Sequence, residues 1–87
     1  MRTNKKKYLG WENYETWNVM LWINNTEELY FSVIFILENS SNIPNYKEVI
    51  YSLGLDECIT GDGIPFVNNK LNYKELDIAI QDMRNSK

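Results

Sequence analysis

Three times in this chain an Asn-Tyr pair stands just ahead of an apolar-periodic stretch: Asn13-Tyr14-Glu15-Thr16, Asn45-Tyr46-Lys47-Glu48 and Asn72-Tyr73-Lys74-Glu75. An Asn side chain accepts a hydrogen bond from an amide that the first helical turn leaves unpaired. A Glu three residues on can reach back, as in a capping box. All three Asn residues are therefore read as helix N-caps. The N-Y-K-E shared by the second and third segments is read as convergent capping chemistry, not as a true repeat.

The apolar spacing behind each cap sets the expected elements. The first helix runs from about Tyr14 to Ile23, with Tyr14, Trp17 and Leu21 on one face and Trp22 beside them. Asn24-Asn25 is expected to break it and Thr26 to cap the next helix. That second helix, about Glu27 to Glu38, places Glu27 and Glu28 at the positive end of its dipole. Leu29, Tyr30, Phe31 and the run Val33–Leu37 make it apolar almost all round, so it should be the central, most buried element. The same β-branched and aromatic content supports an alternative α+β fold with residues 29–37 as a strand. After the Asn39–Asn42 loop and Pro44, a third helix spans about Tyr46 to Leu53, stopped by Gly54. Residues Asp56 to Asn69 should be irregular, pinned by Phe66 and Val67. The last helix, about Tyr73 to Arg84, carries Leu76, Ile80 and Met83 inward. The expectation is a single all-α domain of about four helices around one core, residues 8–87, preceded by a basic arm at residues 1–7.

Composition supports a folded chain: 44% of the 87 residues are hydrophobic and 14% aromatic. No apolar run reaches the length of a membrane span, and no membrane partner is expected. The lone Cys58 excludes an internal disulfide and fits a reducing, cytoplasmic setting. The net charge of −3 is unevenly distributed. Arg2, Lys5, Lys6 and Lys7 crowd the start, and Arg84 and Lys87 the end. From Tyr8 to Met83 only Lys47, Lys70 and Lys74 stand against all twelve carboxylates, a net of −9. Such a body repels nucleic acid at long range and favours basic partners.

Three tryptophans and two tyrosines fall within Trp11–Tyr30, in the pattern Asn13-Tyr14-Glu15-Thr16-Trp17-Asn18, then Leu21-Trp22, then Glu27-Glu28-Leu29-Tyr30. This resembles the opening of a family of small proteins encoded by bacteriophages and other mobile elements, most of them carried as a domain of unknown function. Leu71-Asn72-Tyr73-Lys74-Glu75-Leu76 resembles that family's C-terminal segment, so the likeness covers roughly residues 10 to 80. The resemblance implies a fold and an origin. It attaches no catalytic role to Asn13, Tyr14, Glu15, Thr16, Trp17, Asn18, Leu21 or Trp22.

The chain has no histidine, which removes the commonest general base near neutral pH and the commonest metal ligand. Cys58 cannot form a Cys-His nucleophile. No phosphate-binding loop, dinucleotide fingerprint or zinc spacing appears. Asp56, Glu57 and Asp62, with Gly61 and Gly63, faintly resemble a calcium loop but lack its alternation, and read as a solvated loop. No enzyme activity, metal or cofactor is expected. For the aromatic cluster, Trp17, Leu21 and Trp22 fit a core stripe, whereas Tyr8, Trp11 or Tyr14 fit partly exposed anchors. Glu15, Thr16 and Asn18 either bond a neighbouring loop or rim a contact site.

The leading expectation is a non-enzymatic phage or mobile-element protein that binds and inhibits a host protein, in concrete form an anti-CRISPR or antirestriction factor. Glu12, Glu15, Asn18, Glu27, Glu28, Asp56, Glu57 and Asp62 would form its partner-binding surface. The carboxylates among them would occupy a basic groove meant for nucleic acid. The alternative is a nucleic-acid-binding accessory protein that uses Lys5, Lys6, Lys7, Tyr8 and Trp11. Homodimerisation stays open under either reading.

Overall fold

A computed structural model describes residues 8–85 and contains four helices: α1 (Tyr14–Asn25), α2 (Glu27–Glu38), α3 (Tyr46–Ser52) and α4 (Tyr73–Asn85). The only strand-like pairings among the described residues are the isolated bridges Tyr8–Trp11 and Ile59–Pro65. The fold is all-α, and the strand alternative for residues 29–37 is overturned. Those residues lie inside α2, where Glu27 and Glu28 fill the first turn. The basic arm, Lys5, Lys6 and Lys7 included, lies outside the described residues.

The three Asn caps form by related but different means. Asn13 and Asn45 hold extended backbone and accept from the amides of Thr16 and Glu48, at 2.9 Å in each case. At α3 the Glu48 carboxylate also accepts from the Asn45 amide, completing a capping box. At α4 Asn72 accepts from the Glu75 amide at 3.0 Å, but the Glu75 carboxylate takes the amide of Glu12 at 2.9 Å. It thus ties two helix starts together. α3 ends as Gly54 enters the left-handed region, φ 74°.

Asn24 and Asn25 do not break α1. The chain turns at Thr26 alone, whose extended backbone ends α1 and opens α2 without a side-chain cap bond. With a single-residue connection, α1 and α2 pack as neighbours, and α4 lies against α1, α2 and α3.

The core is built from Val19, Met20 and Ile23 of α1, Val33, Ile34 and Leu37 of α2, Tyr46, Val49 and Ile50 of α3, and Leu76, Ile80 and Met83 of α4, with Phe66 and Leu71 from the loop. The Tyr46 hydroxyl donates to the Phe66 carbonyl at 2.7 Å, anchoring the loop from inside, and burial pushes its phenol strongly up.

Two burial expectations are corrected. The inward face of α1 is Thr16, Val19, Met20 and Ile23, so Trp17, Leu21 and Trp22 are half-buried and outside the core, whereas Trp11 packs onto it. Nor is α2 buried all round, since Phe31 is 58% and Phe35 66% exposed. A short helix lying at one side of a small domain cannot cover its whole circumference.

Candidate interaction surface

The polar residues of the Asn13–Trp22 segment are largely consumed in wiring α1 to two loops. Asn13 Oδ1 accepts from the Thr16 amide and from its hydroxyl (2.6 Å), while Asn13 Nδ2 donates to the Lys70 carbonyl at 2.6 Å. The same Thr16 hydroxyl oxygen accepts from the Asn72 amide at 3.0 Å. Two residues on, Asn18 is 0% exposed. Its side-chain Oδ1 accepts from the Thr60 hydroxyl at 2.6 Å, and its Nδ2 donates to Asp62 Oδ2 at 2.7 Å. Thr60 in turn accepts from the amides of Asp62 and Ile64, both at 3.2 Å. These bonds satisfy the buried polar groups of a segment without regular structure. Of the two roles open to Thr16 and Asn18, loop bonding is the one observed. Asn18 is therefore corrected, since a fully buried side chain cannot belong to a partner surface.

Trp22 completes the arrangement. Its indole Nε1 donates to Asp62 Oδ2 at 2.9 Å, and its six-membered ring lies over Gly61. The bonds from Trp22 and then Asn18 hold the Asp62 carboxyl below its usual range, against a smaller opposing effect of desolvation. Partial desolvation, then the nearby Asp62, Tyr8 and Glu15, pushes the Tyr14 phenol up.

Tyr8, Tyr14 and Trp17 pack on one another outside the core, with ring centroids 4.9 to 5.5 Å apart. Tyr8 also exchanges two backbone hydrogen bonds with Trp11. The contacts are edge-on or tilted, with interplanar angles of 40° to 84°.

The expected acidic residues fall in three groups: Glu12 and Glu15 at the start of α1, Glu27 and Glu28 in the first turn of α2, and Asp56, Glu57 and Asp62 in the loop between α3 and α4. Glu12, Glu27, Glu28, Glu57 and Asp62 are exposed, and Glu15 and Asp56 half-buried. Among the described residues no group of three or more acidic or cysteine side chains is placed to hold a metal ion, and Cys58 is exposed.

Sequence reasoning missed the outward face of α2. Glu28, Phe31, Phe35 and Glu38 recur at helical spacing and are all exposed, with Glu27 beside the first. The row is about 15 Å long at the standard rise per residue. Phe31 and Phe35 thus form an exposed apolar pair on one helix face, flanked by carboxylates. The signal was present: a helix apolar on every side must leave one side uncovered unless it is enclosed. Only packing shows which side that is.

In class the chain is a small all-α domain with no regular sheet among the described residues, stapled by side-chain hydrogen bonds and presenting an apolar-acidic helix face. It belongs to the family described as "Family of unknown function (DUF7249)", whose model matches residues 4–86. Neither a curated protein nor a solved structure matches the chain.

Proposed function

We propose that the chain is a non-enzymatic binding protein of phage or mobile-element origin that docks the outward face of α2 on a host protein. The observation that carries this reading is the exposed Phe31–Phe35 pair with Glu27 and Glu28 at one end and Glu38 at the other. Phenylalanines supply contact area in an apolar groove, and carboxylates at both ends select a groove rimmed by Lys or Arg. A second copy of the chain fits this face poorly, because pairing either way along the helix would oppose carboxylates. The acidic body adds a long-range attraction for basic surfaces. A host nucleic-acid-binding defence effector has such a surface, which makes an anti-CRISPR or antirestriction inhibitor the concrete form. The remaining carboxylates, Glu12, Glu15, Asp56, Glu57 and Asp62, contribute through that field.

The test is capture of host proteins by the tagged chain at low and high salt, with nuclease treatment, beside the variant Phe31→Ser/Phe35→Ser. Each captured protein is then assayed for inhibition of its nuclease activity. A partner lost with the variant, weakened by salt and indifferent to nuclease supports the reading. Capture unaffected by the double variant sinks it, and recovery of nucleic acid transfers the function to Lys5, Lys6, Lys7, Tyr8 and Trp11.

A further inference from the structure

The Asp62 carboxylate is used on one side only. Oδ2 accepts from Asn18 and Trp22, whereas Oδ1 has no donor among the described residues and the residue is exposed. Beside it opens a cleft of about 300 Å³ lined by Leu21, Trp22, Asn25, Thr26 and Asp62. Trp22 is locked at both ends, by its Nε1 bond to Asp62 and by the close approach of its ring to Gly61. The indole wall of the cleft is therefore preorganised. The cleft also sits where α1 ends, and the last turn of α1 carries no basic residue to compete for Asp62.

We infer that this cleft is a socket for an arginine side chain presented by a protein partner. The inference rests on the reading of a basic partner, but concerns a different site from the α2 face. A guanidinium is planar and weakly hydrated, so it stacks on an indole while its N–H groups reach a carboxylate. Here it would lie on Trp22 and donate to Asp62 Oδ1. A lysine ammonium makes the charge contact but lacks the flat face.

The experiment follows the three tryptophan indole N–H signals by NMR, at low salt, during titration with the capped peptide Gly-Arg-Gly. Trp22→Phe assigns the Trp22 signal. The citrulline peptide is the neutral isostere, and Gly-Lys-Gly the ammonium control. Asp62→Asn keeps an oxygen that can accept from Asn18 and Trp22 while removing the charge. The expected result is a saturable shift of the Trp22 signal with the arginine peptide, weakened by salt, and about three- to fivefold weaker binding in Asp62→Asn. An equal response to citrulline or to lysine overturns the inference, as does an arginine response confined to Trp11 or Trp17, or no response at all. Should Asp62→Asn misfold, the citrulline, lysine and salt comparisons on the unaltered chain decide alone. Host-partner capture that depends on Phe31 and Phe35, with no arginine response at Trp22, removes the socket and leaves the proposed function standing. The opposite pattern removes that function and leaves the socket.

Discussion

Gly61 has no side chain because Trp22 occupies its place: a Cβ built there would lie 2.3 Å from the indole Cη2 and 2.4 Å from Cζ2. Gly61→Ala is expected to push the indole off Asp62 and to cost about 1–3 kcal/mol. In a domain of this size that lowers Tm by several degrees, visible in a thermal melt. Asp62 makes a prediction of a different kind. Its carboxyl titrates lower in the folded chain than in the unfolded one, so the unfolded state takes up the proton first as pH falls. Its stabilising contribution is therefore present above about pH 4, the ordinary carboxyl range, and is lost as pH drops through the folded value. Melts of the native chain and of Asp62→Asn across acid pH should show their stability difference shrinking below about pH 4. A difference that stays constant down to the lowest pH would contradict the assignment.

Among the elements, α2 carries both core residues and the face proposed for docking. Its inward residues Val33, Ile34 and Leu37 hold the core, and its outward Phe31 and Phe35 touch mainly water. Phe31→Ser/Phe35→Ser should leave the folding free energy within about 1 kcal/mol of the native value, since exposed positions seldom matter more. Capture of a partner should nonetheless weaken by roughly tenfold or more, the scale of losing aromatic anchors at the centre of an interface. A denaturant melt beside a binding assay separates the two effects. α1 shows how a motif can mislead when read by residue type alone. Its tryptophans look like core and its polar residues like surface, yet Thr16 and Asn18 are 0% exposed and Trp17 and Trp22 lie at the side. The inversion has a physical cause: each buried polar atom meets a partner on the 60–72 segment, and half-exposed indoles still cover apolar surface.

Across the whole molecule, contacts between distant parts of the chain close the fold. The start of α1 is tied to the start of α4 by the bonds Asn13–Lys70, Thr16–Asn72 and Glu12–Glu75, spanning 57, 56 and 63 residues. Thr16→Val keeps the shape of the side chain but leaves the Asn72 amide without its acceptor. The expected cost is about 1–3 kcal/mol, read from chemical denaturation, with an unchanged slope if unfolding stays two-state.

The sequence by itself determined the helix starts and the class of fold. Asn caps, the Gly54 stop and the spacing of Leu76, Ile80 and Met83 act within a few residues, so they are readable without knowing what packs where. What only the tertiary structure decided is which side of each helix faces inward, and hence that Asn18 is buried, that Asp62 and Trp22 meet, and that Phe31 and Phe35 stand in water. Those outcomes depend on partners some forty residues away, such as Trp22 and Asp62, and on how much of a helix its neighbours can cover. Neither quantity is encoded in local spacing.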